Sequence, residues 1–381
     1  MEFIDIKKQY EAIQPMIQKR INTVLQHGKF IMGPEITELE KQLASYVGCK
    51  YSVSCSNGTD ALLLSLMAYE IGPGDAVFTT PFTFIATAEV ICLLGATPIF
   101  VDIDKDTFNI DPQKLRECIK GVQEGTIRAQ GIPENLIPRG IITVDLFGLP
   151  AEYDQINQIA KEHKLFVLED AAQSFGGAYR GKIAGNLADI AATSFFPAKP
   201  LGCYGDGGAI FTNNETLAEK IRSMREHGKG SHKYDNVRIG INGRLDTLQA
   251  AILLAKLEIF SDELKRRQEV AARYSDALAD IIKIPRVPDG FMSAWAQYSV
   301  VSDRRAHFMD KLKESGIPTA IYYPRPLHMQ TAFSHLGYST GEFPVSEYLS
   351  ERIFSLPMHP YLDPDSQNKI VTAMKEACNS D

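Results

Sequence analysis

The sequence has no apolar run approaching the roughly 18 residues needed to cross a bilayer, and its amino terminus lacks the basic-then-apolar pattern of a secretion signal. Neither a membrane protein nor a secreted one is expected, and the expected location is the cytoplasm. There is no excess of positive charge. The 40 Lys and Arg against 47 Asp and Glu give a formal net charge of -7, so no broad basic surface is available to nucleic acid and any phosphate must be held by a small local site. Six cysteines, Cys49, Cys55, Cys92, Cys118, Cys203 and Cys378, show no CxxC spacing, which argues against a zinc cluster and against a disulfide framework in a chain of this length. They are read as reduced and packed, with Cys203 the one to watch because of the lysine beside it. Internal repeats and low-complexity tracts are also missing. What remains is 381 residues, 44% apolar and 23% charged, a balance suited to one large and one smaller globular domain.

Runs of helix formers alternate with short β-branched runs, among them Ala76-Val77-Phe78-Thr79-Thr80, Thr97-Pro98-Ile99-Phe100-Val101-Asp102 and Gly140-Ile141-Ile142-Thr143-Val144-Asp145. That alternation predicts an α/β fold with a mostly parallel sheet and helices on both faces, whose ligand sites form beyond the carboxyl ends of the strands. Three runs end in carboxylates: Asp102 or Asp104, Asp145, and Glu169-Asp170. Any one of these is more often a turn residue or a helix cap than a ligand. From Arg244 to Ala277 the apolar spacing Leu245, Leu248, Ile252, Ala255, Ile259 predicts one long amphipathic helix joining the domains. Beyond it, Tyr298 to Val301 reads as a strand and Phe308 to Leu312 as part of a helix stopped at Gly316-Ile317-Pro318. The expected division is a large domain over 1–245, then a linking helix and small α/β domain over 246–381. Lys120 to Pro138 is polar and reads as a surface loop.

Three stretches carry chemistry. Ser194-Phe195-Phe196-Pro197-Ala198-Lys199-Pro200-Leu201-Gly202 sets one lysine between two prolines, ahead of a glycine-rich run. Val167-Leu168-Glu169-Asp170-Ala171-Ala172-Gln173-Ser174 ends an apolar strand in acid and amide groups, with Glu169 and Asp170 competing by position. Ser56-Asn57-Gly58-Thr59-Asp60-Ala61 opens an apolar helix whose free amides and positive dipole end suit a phosphate, although a plain helix cap accounts for Ser56-Asn57-Gly58 equally well. An amine held in place, an anion at a strand end and neutral donors near a helix start are the requirements of a pyridoxal phosphate site.

These motifs resemble the DegT/DnrJ/EryC1/StrS family of sugar aminotransferases, whose fold is that of the aspartate aminotransferases, and the resemblance runs from Phe3-Ile4-Asp5-Ile6-Lys7 to Ser355-Leu356-Pro357-Met358-His359-Pro360. It implies pyridoxal 5'-phosphate as cofactor and Lys199 as the residue that holds its aldehyde and later moves a proton. The Glu-Asp-x-x-Gln pattern selects Asp170 for the pyridinium nitrogen and Gln173 for the ring hydroxyl. Gly58, Thr59 and Ser194 would bind the phosphate, and Phe84 would stack on the ring. In Gly240-Ile241-Asn242-Gly243-Arg244-Leu245 the family's asparagine, here Asn242, reaches the phosphate in the neighbouring subunit, which implies a homodimer with shared active sites. Members aminate nucleotide-linked keto-sugars for surface polysaccharides such as O-antigen, usually with glutamate as donor. Tyr322, Tyr323 and Arg325 fall in the region of the sugar pocket, with a structural ion pair the competing role for Arg325. His227 and Lys229 suit pyrophosphate or carboxylate, or belong to a merely solvated charged loop, and Arg244 joins them as an expected substrate contact. No metal is expected. The stretches Phe195 to Gly208 and Arg244 to Ala251 are most similar to enzymes acting on UDP-2-acetamido-2-deoxy-3-oxo-glucuronate, and Tyr322 departs from that subgroup's histidine. Amination of a UDP- or dTDP-linked keto-6-deoxy sugar is the alternative. A dehydratase branch carrying histidine in place of Lys199 is disfavoured by that lysine, and a non-catalytic regulatory role by the joint presence of Asp170, Gln173 and Lys199.

Overall fold

In a computed structural model of the chain, which describes residues 1–127, 131–232 and 234–380, the β-branched runs form one seven-stranded sheet. Its strands are β1 (Tyr51–Cys55), β2 (Asp75–Thr79), β3 (Thr97–Phe100), β4 (Ile137–Val144), β5 (Phe166–Asp170), β6 (Ile190–Ser194) and β7 (Gly208–Thr212). Their order across the sheet is β1-β7-β6-β5-β4-β2-β3. The pairs β2 with β3, β2 with β4, β4 with β5 and β5 with β6 are parallel. β7 runs antiparallel to both its neighbours. Alternate residues of one strand enter opposite cores, as the two-residue period of a strand requires. Val77, Ile142 and Leu168 pack with Leu62, Leu66, Val90 and Ile221 on one face. Phe78, Ile141 and Val167 pack with Leu115, Ile119, Ile156 and Ile159 on the other.

The predicted single helix over 244–277 is instead two, Thr247–Leu257 and Phe260–Leu278. Ala250 to Lys256 are all buried, and Ala250, Leu253 and Leu254 share a core with Ile36, Leu39 and Leu43. The second helix keeps one face in water. No straight helix satisfies both environments, and the chain turns where Ile259 N–H donates to the Lys256 carbonyl (3.2 Å), a tightened three-residue closure. Phe260 and Leu264 still belong to the large core, whereas Val270, Tyr274 and Leu278 join Trp295, Val300, Phe308 and Met374 in a second one. The two cores therefore meet inside Phe260–Leu278. In the smaller unit Tyr298–Val301 pairs antiparallel with Ile353–Leu356, and Arg305–Glu314 is a helix followed by Gly316 in left-handed conformation (φ 70). The expected loop over 120–138 is shorter at both ends, because Pro112–Gln123 is helical and β4 begins at Ile137; residues 128–130 lie outside the described residues.

Asp102, one of the strand-end acids, caps a helix of the smaller unit. Its Oδ1 accepts from the Ser346 amide (2.9 Å) and hydroxyl (2.6 Å), and its Oδ2 from the Val345 amide (3.0 Å) and Lys114 Nζ (3.1 Å). Val345 and Ser346 lie in the first turn of the helix Pro344–Arg352, where an anion meets free amides and the positive dipole end. Burial pushes the Asp102 carboxyl up, but these hydrogen bonds outweigh it and hold the carboxyl below its ordinary value. Its contribution is thus present above the ordinary aspartate range and is lost as pH falls through the lowered folded value. Asp102→Ala is expected to cost about 2–3 kcal/mol in urea unfolding at pH 7, with the gap to wild type narrowing on acidification.

Candidate active site

The carboxyl ends of β5 and β6 and the amino end of the helix Gly58–Ala68 converge. Asn57 caps that helix, its side chain accepting from the Asp60 amide (2.7 Å), and Ser56 bonds the Asp60 carboxylate. The cap reading of this stretch is therefore correct, and it leaves Gly58 and Thr59 at the helix start. A Cβ on Gly58 would lie 2.7 Å from Ser194 Cβ, so glycine is needed there to let the helix start approach the end of β6. The Thr59 hydroxyl bonds no other group among the described residues, and Ser194 Oγ accepts only from the Phe196 amide (3.2 Å). Gly58, Thr59 and Ser194 thus form a cradle of an amide end and two hydroxyls, with little internal pairing.

Lys199 closes a four-residue turn, its N–H donating to the Phe196 carbonyl (2.8 Å), and Pro197 supplies the fixed φ that the second position of such a turn prefers. The loop beyond is pinned from below by the buried Lys256, whose Nζ donates to the Gly202 carbonyl (2.7 Å) and sits 4.1 Å from the Tyr204 ring centre. Burial brings the Lys256 ammonium down to about 8. Nothing in the spacing of an otherwise apolar helix announced this lysine. Cys203 is buried, its Sγ donating to the Phe195 carbonyl (3.1 Å). Burial raises its thiol to about 11, in keeping with a packed residue.

Consecutive residues at the end of β5 face opposite ways. Glu169 accepts from the amides of Gly185 (2.5 Å) and Leu187 (3.0 Å), within the fold. Asp170 Oδ2 accepts from Thr87 Oγ1 (2.8 Å) and its Oδ1 from the Ala172 amide (3.2 Å). Burial raises the Asp170 carboxyl, while Thr87, Ala172 and the charge of Lys199 oppose the rise. Burial lowers the Lys199 ammonium and the charge of Asp170 opposes that fall. Gln173 is fixed at both ends, Oε1 accepting from the Phe147 amide (2.7 Å) and Nε2 donating to the Tyr323 hydroxyl (3.1 Å). Phe84 is 56% exposed, not core, and its ring centre lies 6.5 Å from that of Tyr323. Asp145, the remaining strand-end acid, accepts from Ala151, Tyr153 and Ser174 and organises the buried base beneath Gln173; burial brings its carboxyl up to about 7. An exposed ring, a fixed amide, an acid with a fixed donor on each oxygen and an amine of reduced basicity meet beside the cradle. This donor set fits pyridoxal phosphate.

Three of the other expected contacts line a separate cavity. His227, Lys229 and Arg244 line an open cavity of about 750 Å³ together with Glu226, Asn236 and Arg238, and Lys199, Asp170 and Gln173 are not in its lining. Arg238 was not legible in the sequence. Asn242 is exposed on the segment whose next residue, Gly243, accepts from the Ser56 amide (3.0 Å). Tyr322 packs with Phe82 and Tyr323. Arg325 is exposed and makes no ion pair among the described residues.

Residues 11–375 match the DegT/DnrJ/EryC1/StrS aminotransferase family. The chain is 48% identical over 375 residues to a UDP-2-acetamido-2-deoxy-3-oxo-D-glucuronate aminotransferase of Pseudomonas aeruginosa, covering 98% of this chain and 99% of that one. Its fold superposes with a TM-score of 0.95 and 49% identity on a DegT DnrJ EryC1 StrS aminotransferase from Brucella abortus, all of both chains being covered. It superposes at 0.86 and 31% identity, over 97% of this chain and 82% of the other, on NtdA of Bacillus subtilis, solved with bound cofactor PMP. With Lys199 and Asp170 set beside the helix-start cradle, the chain belongs to the DegT/DnrJ/EryC1/StrS aminotransferase family of pyridoxal phosphate enzymes.

Proposed function

We propose that this chain aminates C3 of UDP-2-acetamido-2-deoxy-3-oxo-glucuronate, taking nitrogen from glutamate in a two-half-reaction cycle that supplies an amino sugar for a surface polysaccharide. The observation that carries the chemistry is the opposition of Lys199 and Asp170 in a desolvated site; the sugar rests on the 48% identity to the Pseudomonas aeruginosa enzyme. Pyridoxal phosphate, when bound, supplies an electron sink for the carbon that loses a proton. Asp170 keeps a proton on the ring nitrogen, Gln173 orients the ring hydroxyl and Phe84 covers one ring face. The Gly58 amide with the Thr59 and Ser194 hydroxyls holds the phosphate. Burial leaves Lys199 Nζ more readily neutral, as required of a group that must take a proton from the amine-bearing carbon and return it.

The work is done in the cytoplasm by a homodimer with shared sites. No helix among the described residues is long and apolar enough to cross a membrane. Exposed Asn242 reaches the phosphate cradle of the second copy, and the basic cavity of His227, Lys229, Arg238 and Arg244 takes the diphosphate of the nucleotide. Tyr322 and Tyr323 line the sugar, and the guanidinium of Arg325, without an ion pair among the described residues, is free for a carboxylate.

Purified protein with pyridoxal phosphate and glutamate, given a panel of UDP- and dTDP-linked 3-keto and 4-keto sugars and read by mass spectrometry, is expected to aminate the UDP-3-keto-glucuronate. Turnover confined to a 4-keto-6-deoxy sugar would replace the substrate and keep the chemistry. Lys199→Ala is expected to fold with unchanged far-UV circular dichroism and to lose at least about 10³-fold in turnover. Co-expressed with Asn242→Asp, which sets an anion against the partner's phosphate, it should recover part of the activity through hybrid dimers holding one intact site; no recovery in proven hybrids would exclude sharing through Asn242.

A further inference from the structure

The segment from Thr83 to Thr87 places two hydroxyls in line behind Asp170. Thr87 is 1% exposed and Thr83 3% exposed. Thr87 Oγ1 lies 2.8 Å from Asp170 Oδ2 and 3.1 Å from Thr83 Oγ1. A hydroxyl has one proton to donate. An ionised Asp170 can only accept, so the Thr87 proton points to Asp170, and the contact between the two threonines is then made by the proton of Thr83. The direction of both bonds is fixed by that count. Each bond polarises the next, which makes Thr87 a stronger donor than an isolated threonine. Thr87 is the second residue of the helix Ala86–Leu93, and its hydroxyl is committed to Asp170 at the end of β5. The same short turn, closed by the Thr87 amide on the Phe84 carbonyl (3.3 Å), also presents the exposed ring of Phe84.

We propose that Thr87 is a positioning residue for the reaction, holding Asp170 ionised and oriented toward the ring nitrogen of pyridoxal phosphate through the directed relay Thr83 to Thr87 to Asp170. The inference rests on the reading of Asp170 as the partner of that nitrogen. Asp170 Oδ1 has the Ala172 amide at a longer 3.2 Å, so removal of Thr87 leaves a buried carboxylate with one weak donor. Its anionic form then becomes costlier, and its hold on the ring proton weakens. With less positive charge on the ring, the nitrogen linking Lys199 to the cofactor is easier to protonate, and the pH midpoint of the visible absorbance band moves upward.

The test uses the cofactor-loaded protein, with pyridoxal phosphate affinity from titration and the pH dependence of the visible band as readouts. Thr87→Val keeps the shape and removes the hydroxyl; it is expected to weaken cofactor binding on the order of tenfold and to shift the band midpoint upward. Thr87→Ser is expected to restore both. Thr83→Val, which keeps Thr87 in place, is expected to shift both in the same direction by less, and it decides the matter if Thr87→Val does not fold. Wild-type affinity and midpoint in Thr87→Val, failure of Thr87→Ser to rescue, or no shift in Thr83→Val where it stands alone would each overturn the inference. Asp170→Asn separates the two levels. If it weakens binding while Thr87→Val does not, the relay fails and Asp170 keeps its role; if it leaves binding and midpoint unchanged, the reading of Asp170 fails.

Discussion

Asp170 is buried and Lys199 half-buried within reach of one another's charge, and burial alone would drive each toward its neutral form. Each charge partly restrains the loss of the other. In the proposed reaction the balance is useful because it is incomplete: a lysine left fully charged could not act as a base, and an aspartate left fully neutral could not hold a proton on a ring nitrogen. Much of the surrounding structure sets this balance. Thr87 and Ala172 support the anion, Lys256 and the Pro197 turn fix the loop that carries the amine, and Asp145 with Tyr153 and Ser174 builds the rigid base beneath Gln173.

The sheet makes this meeting possible. β5 and β6 are parallel neighbours, so Asp170 and Ser194 leave the sheet at the same edge, and the helix Gly58–Ala68 presents its amino end there. Because successive strand residues face opposite sides, Glu169 is committed to the Gly185 and Leu187 amides while Asp170 is turned toward Thr87. The choice between two adjacent acids is made by strand geometry, which residue spacing does not display until the strand's faces are assigned.

The sequence carried much of the site in local form. The lysine between prolines, the glycine at a helix start and the strand ending in acids are short-range patterns whose physical meaning survives without a fold. The parallel sheet followed from alternating runs in the same way. What escaped were features made by distant packing. The break at Glu258-Ile259 depends on the first helix being enclosed on almost every side while the next is half in water, and apolar spacing alone reads as continuous across it. Neither the lone charge of Lys256 in an apolar helix nor the hydroxyl of Thr87 carries a local signal. Their roles exist only once Gly202 and Asp170, 54 and 83 residues away, are brought against them.

Lys256 also makes the most direct test a sharp one, because it is a buried lysine of lowered basicity bonded to Gly202, three residues beyond Lys199. The protein loaded with pyridoxal phosphate would be reduced with borohydride, digested and mapped by mass spectrometry. The account predicts a single modified peptide carrying the cofactor on Lys199. Modification of Lys256 instead, or none at all in protein that retains the cofactor, would contradict it.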